Sequence, residues 1–254
     1  MKLQKLTSAV LLSALVLGSG ATAFAAADTT TGKGTIKYVE STEPVGPTDP
    51  EKPGEIVKPK DEEEIVENKD KGTLQVNLVS NLKFGEVDLT TGAGKYFALP
   101  TNLVDADGQP IERGNYVQVS DIRGDGAFKG WELKAAVTKP FTQATSGNIL
   151  KGAEITFMNP HVDSTQPEDL QPVAKSTFTL KTDGTPNTET ALNASSGTGW
   201  GTHTVEFGRP ANIGKNPIAV PTMGESVQLD VPANTPLSLT EAYVAEITWT
   251  IASL

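Results

Sequence analysis

Two histidines, three tryptophans and a few acidic turns are the side chains in this 254-residue chain whose types could carry chemistry. His161 stands close to Asp163 and Ser164, and His203 to Thr202, Thr204 and Glu206, so each imidazole has a hydroxyl and a carboxylate nearby in sequence. A serine hydrolase would add a strained Gly-x-Ser-x-Gly turn, and a zinc protease a His-Glu-x-x-His helix; neither pattern is present. With no cysteine and only two histidines, thiolate nucleophiles, disulfides, Cys-ligated metals and three-His sites are excluded. Asp105-Ala106-Asp107-Gly108 begins like a calcium loop but lacks the downstream Asp and the bidentate Glu, and reads as a turn. No cofactor and no metal site are expected. A hydrolase built on two carboxylates needs neither histidine nor a local motif. It stands as a third reading behind two binding functions, and the chain is expected not to be an enzyme.

Contact chemistry is more promising. In Ser195-Ser196-Gly197-Thr198-Gly199-Trp200-Gly201-Thr202 the indole is surrounded by small residues, which suits an exposed ring that stacks on a sugar or a partner. The alternative is a loop indole folded back onto the domain. Tyr96, Phe97 and Phe128 complete the candidate contacts. Arg123-Gly124-Asp125 spells an integrin-recognition tripeptide, but Asp121 and Arg123, two apart on one strand face, could pair instead and tie down their loop.

Short alternating runs must position these residues. From Gly72 onward, period-two patterns recur at 73–78, 116–122, 130–138, 154–158, 175–181, 202–207, 225–231 and 241–251, separated by turns such as Asp107-Gly108, Asn159-Pro160 and Asp183-Gly184. No long stretch has a helical period. The expected fold is all-β, an antiparallel β-sandwich of Ig-like or Greek-key-like type, with long loops at 92–110, 141–152 and 191–201. Two strands carry tryptophan. Trp131, Leu133, Ala135 and Val137 share one face, as do Tyr243, Ala245, Ile247, Trp249 and Ile251. Alternation shows a shared face but not what that face meets, so core pillar and ligand platform both stay open for these indoles.

The N-terminal quarter has other tasks. Lys2 and Lys5, an apolar run from Leu6 to Leu17 and the small residues around Ala25 form an expected secretory signal peptide at 1–25, with cleavage after Ala25 or Ala27. That run is shorter than the ~20 residues a membrane span needs, so no direct membrane insertion is expected, nor does the C-terminus show an anchor. Residues 26–71, with five prolines and the acidic run Asp61-Glu62-Glu63-Glu64, are expected to be a disordered, extended spacer before a domain at 72–254. The whole chain carries 21 basic against 31 acidic residues, a formal charge of −10, which disfavours nucleic acid as a partner.

Val119-Ser120-Asp121-Ile122-Arg123-Gly124-Asp125-Gly126, then Gly130-Trp131-Glu132-Leu133, resembles the first half of the WxL domain of low-GC Gram-positive surface proteins. Tyr243-Val244-Ala245-Glu246-Ile247-Thr248-Trp249-Thr250-Ile251 resembles its second half, with Ile251 where the family has Leu. Gly72-Thr73-Leu74 and Asn81-Leu82-Lys83-Phe84-Gly85 are similar to the family's opening strand and turn. The resemblance implies secretion and noncovalent attachment to the cell wall, with peptidoglycan or another wall glycan as ligand. It implies partners too: membrane-anchored and wall-anchored surface proteins, and in some members host matrix proteins. Without Lys2 and Lys5, 19 basic residues face 31 acidic ones, and the wall is itself anionic. Short-range contacts, not long-range attraction, must therefore hold the chain there.

Overall fold

The computed structural model describes residues 29–39, 45–124, 129–182 and 187–254. The expected signal peptide, Phe128, Asp125 and the Asp183-Gly184 turn lie outside these residues. The chain divides into two units, 1–38 and 39–254. In the first, the described residues form no strand or helix.

The second unit is all-β. Its first strands are β1 (Thr48–Asp49), β2 (Lys52–Ile56), β3 (Lys58–Pro59), β4 (Ile65–Glu67), β5 (Leu74–Ser80) and β6 (Gly94–Phe97). They are followed by β7 (Thr101–Val104), β8 (Pro110–Arg113), β9 (Asn115–Asp121), β10 (Trp131–Gln143), β11 (Glu154–Met158) and β12 (Pro160–Ser164). The chain ends with β13 (Val173–Ala174), β14 (Thr177–Lys181), β15 (Thr188–Ala194), β16 (Gly201–Phe207), β17 (Val227–Val231) and β18 (Tyr243–Ser253). One short 3-10 turn, Glu168–Leu170, interrupts them.

All described pairings are antiparallel, in small sheets: β13-β15-β10-β18, β14-β11-β17-β6, β12-β16-β9-β5-β4, β3-β7-β8 and the β1-β2 hairpin. The all-β, antiparallel expectation therefore holds, but the arrangement is not clearly a sandwich. A sandwich encloses its core between two sheets, whereas here three sheets feed one core: Trp131, Leu133 and Leu192 from the first, Ile155 and Leu180 from the second, Val119 and Val205 from the third. An aromatic cluster marks where they meet. Phe157 stacks on Phe178 at 4.7 Å between centroids, meets Phe207 edge-on at 4.8 Å, and meets Trp249 edge-on at 5.8 Å.

Each strand read from alternation is present, with ends shifted by a few residues. The expected loops are shorter than foreseen. Strands β6, β7 and part of β8 occupy 92–110, β10 runs on through Pro140 to Gln143, and β15 reaches into 191–201. Strand β15 (Thr-Glu-Thr-Ala-Leu-Asn-Ala) has weak intrinsic strand preference; its place beside β10 comes from tertiary pairing.

The spacer expectation needs the larger correction. Residues 48–67, read as part of a disordered 26–71, contain β1 to β4 and bury Val57 and Ile65 in a second core with Leu78, Leu103 and Tyr116. Three of their acidic residues, Asp49, Glu51 and Glu64, are buried and matched, while Glu55, Asp61, Glu62 and Glu63 are exposed. Asp49 accepts two bonds from Arg113 (Nε at 2.6 Å, Nη2 at 2.7 Å), and Glu51 accepts two from Arg209, both at 2.6 Å. Glu64 meets Lys83 at 2.7 Å and the Asn102 backbone N–H at 3.0 Å. Burial alone would raise the Glu64 pKa, but these partners hold it below the usual value. Such forked, desolvated pairs fix the segment in place.

Candidate functional site

The two tryptophan strands are neighbours. Strands β10 and β18 pair antiparallel so that Leu133 faces Ile251, Trp131 faces Ser253 and Trp249 faces Ala135. The two triplets thus lie head to tail about the Leu133–Ile251 pair, with the indoles at opposite ends.

Their surroundings differ. Trp131 and Leu133 are fully buried. The Trp131 Nε1–H donates to the Gly199 carbonyl at 2.9 Å, and the ring lies 6.2 Å from the buried His203 imidazole. Trp249 is only half-buried, as are Tyr243, Ala245, Ile247 and Ile251, because β18 is an edge strand and its apolar face is incompletely covered. For Trp131 the core alternative holds; Trp249 is both part of the aromatic cluster and part of a groove wall.

The Asp-x-Arg lead-in fastens both triplets. Arg123 donates from Nε and Nη2 to the two Asp121 carboxylate oxygens (2.8 and 2.7 Å), from Nη2 to the Gly130 carbonyl (3.1 Å), and from Nη1 to Ser253 Oγ (2.6 Å). Asp121 ends β9, Gly130 precedes Trp131, and Ser253 ends β18. One guanidinium therefore joins three elements, as five fixed donors allow.

Trp131 also positions the candidate contact residue. The Gly199 carbonyl accepts from its indole, the Gly199 N–H donates to Leu170 O at 2.8 Å, and His203 Nε2 bonds the Trp200 carbonyl at 3.2 Å. Gly199 has φ of +79°, and a β-carbon there would lie 2.7 Å from Trp131 Nε1, so glycine is required. Trp200 is 45% exposed on this fixed backbone. The sequence showed a flexible setting for Trp200, whereas the structure shows an anchored one. The missed signal is the Gly-Trp-Gly placement itself.

The other contact candidates lie elsewhere. Phe97 is exposed on β6, opposite Gln228. Tyr96, paired with Leu229, lines a groove of about 560 Å³ together with Leu82, Phe84, Phe141 and Tyr243. These last four also line an adjoining groove of about 530 Å³ that runs along β18 past Ile247 and Trp249. Trp200 lines neither.

The histidines are built into the sheet β12-β16. His161 pairs with Glu206 and Ser164 with His203 across it. The Ser164 hydroxyl donates to the Thr202 carbonyl at 2.8 Å rather than to an imidazole. Burial lowers the pKa of both histidines and raises that of Asp163. Glu206 is fully buried. Its Oε1 accepts the Gly114 N–H at 2.6 Å, and burial together with the nearby Glu51 carboxylate pushes its pKa well above the carboxylate range. Asp105 caps its turn by accepting the N–H groups of Asp107 and Gln109 at 3.0 and 2.8 Å. Among the described residues, no group of three His, Asp or Glu side chains is placed to hold a metal ion, and no helix is long and apolar enough to cross a membrane.

Residues 25–254 match the family model of the WxL domain, described as surface cell wall-binding. No curated protein and no solved structure matches the chain. The paired triplets, the lead-in arginine between them and a match over nearly the whole length lead to one conclusion: the chain belongs to the WxL family of surface cell wall-binding domains.

Proposed function

We propose that this chain is exported, attaches noncovalently to the Gram-positive wall with peptidoglycan as its ligand, and takes part in assembling proteins at that surface. Trp200 carries the glycan reading: an indole 45% exposed, on a backbone held by Trp131, Leu170 and His203. A preorganised aromatic face loses little entropy when a sugar stacks on it. The function is binding, not catalysis. Supporting this, the Ser164 hydroxyl is turned to a backbone carbonyl and His203 is sealed in the core.

A second reading places the chain in a surface complex, held by a membrane-anchored protein without glycan contact. The apolar, aromatic grooves beside β18 favour it, since such walls suit a protein segment better than a hydroxylated sugar. Adhesion to host matrix through Arg123-Gly124-Asp125 has less support, because the Arg123 guanidinium is engaged by Asp121, Gly130 and Ser253.

Co-sedimentation with isolated walls and with protein-stripped peptidoglycan tests the choice. Binding to stripped peptidoglycan that falls about tenfold (~1.4 kcal/mol) in Trp200→Ala supports the first reading. Binding only to walls that retain their proteins rejects it in favour of the second. Release of reducing ends from the walls would point to a hydrolase instead.

A further inference from the structure

Strand β10 and strand β18 carry matching apolar faces, yet only one is sealed. Trp131, Leu133 and Ala135 are inaccessible, while no residue of the β18 face is buried. The difference lies in neighbours: β10 pairs on both sides, β18 with β10 alone. Along the unpaired side run the two grooves, joined through Leu82, Phe84, Phe141 and Tyr243. Leu89, Leu239 and Val244 at their margins are 52, 81 and 55% exposed. An unpaired edge beside an apolar furrow is the receiving geometry for strand addition, in which backbone bonds supply affinity and alternate side chains fill the furrow.

Charge narrows the occupant. The groove walls contain Glu63, Glu86, Asp88 and Glu241 and no Lys, Arg or His. Other acid-free stretches with basic residues are already committed, 133–153 and 170–182 to strands β10 and β14 and 207–224 to ion pairs of Arg209 with Glu51 and Lys215 with Asp163. Residues 29–39, which form no strand, also lack an acidic residue and carry Lys33 and Lys37. The same stretch is patterned as a strand. Gly34, Ile36 and Tyr38 alternate with Lys33, Thr35, Lys37 and Val39, with β-preferring residues from Thr35 to Val39 and no proline before Pro44. Its apolar side chains are in water, with Ile36 78%, Tyr38 85% and Val39 80% exposed.

We propose that residues 35–39 of one copy add as a strand to the free edge of β18 in a second copy, placing Ile36 and Tyr38 over the groove and leaving Lys33 and Lys37 near its acidic rim. The contact is heterologous, since a donor segment meets an acceptor edge, so copies join head to tail into chains unless a ring closes. At a wall surface this would multiply weak attachments along one assembly.

The exported protein, residues 26–254, is the material for the test. Sedimentation velocity over a concentration series is run on wild type and on Ile36→Asp/Tyr38→Asp, whose changes fall on exposed positions outside the strands. Circular dichroism confirms that the variant is folded. Wild type should self-associate, more weakly at 0.5 M than at 0.05 M NaCl, and the variant should need at least tenfold higher concentration. A peptide of residues 29–39 should dissociate the wild-type assembly, and hydrogen exchange should show new protection in β18 on association. A wild type that stays monomeric overturns the proposal, even if the peptide binds. So does association that persists in the variant, or protection that appears away from β18.

Discussion

Leu133 and Ile251 face each other across the β10–β18 pair, so the aliphatic members of the two triplets form one cross-strand contact. Leu133 is sealed and Ile251 half-buried. Isoleucine in place of the family's leucine is therefore tolerated on the more open side of the pair, where a near-isosteric exchange costs less than about 1.5 kcal/mol.

The same asymmetry should appear in the tryptophans. Trp131→Ala opens a cavity in a closed core and leaves the Gly199 carbonyl without its donor, a loss of about 3–5 kcal/mol. Trp249→Ala, on the half-covered face, should cost about half as much. Equal losses in urea denaturation would show that the two indoles are equivalent after all.

Arg123→Lys keeps the charge but not the fork. Lysine cannot reach Asp121, Gly130 and Ser253 together, and we expect a loss of about 1–3 kcal/mol. Hydrogen exchange should quicken at the C-terminal end of β18 and around Gly130 before it changes elsewhere. An unaltered exchange pattern there would rule out the fastening role.

A fragment of residues 72–254 should be unfolded or insoluble where 45–254 is folded. It would leave Arg113 and Arg209 without Asp49 and Glu51, and losing one member of a buried pair costs about 3–5 kcal/mol. Asp49→Asn should lower stability by a similar amount without shortening the chain. Thermal unfolding of the three proteins decides.

Glu206 makes stability depend on pH in a known direction. Its folded-state pKa lies above the unfolded value, so its contribution is complete below the unfolded carboxylate pKa and is lost as pH rises toward the folded one. Glu206→Gln removes that loss. Relative to wild type, the variant should gain stability as pH rises above the ordinary carboxylate range in urea titrations; a difference that does not change with pH would mean that Glu206 does not titrate between the two states.

Wall binding should strengthen with added salt. The chain carries a formal charge of −10, and −12 without the expected signal peptide, and on the proposed function it meets an anionic wall, so screening relieves repulsion while leaving stacking and hydrogen bonds in place. Co-sedimentation at 0.05 and 0.5 M NaCl measures this; weaker binding at the higher salt would make attraction between opposite charges the driving force.

Much of the strand inventory was legible because alternation is local: side chains two apart share a face whatever the strand later meets. The Trp131 and Trp249 faces, the Asp121–Arg123 pair and the Asp105 turn could be read in this way. Strand β15 could not, since its polar and small residues give no pattern and its place is set by β10. The acidic 48–67 segment misled for a different reason. Carboxylates look solvated until their partners are known, and these partners lie 64 and 158 residues away for Asp49 and Glu51.

By itself, then, the sequence determined an all-β chain with two tryptophan triplets on single strand faces and a lead-in arginine able to hold a carboxylate. Only the tertiary structure decided that Trp131 is sealed and Trp249 lines a groove, that three sheets share the core, and that the Trp200 backbone is anchored. Burial and ion pairing depend on what long-range packing brings against a residue, whereas a period of two records only which side of its own strand the residue occupies.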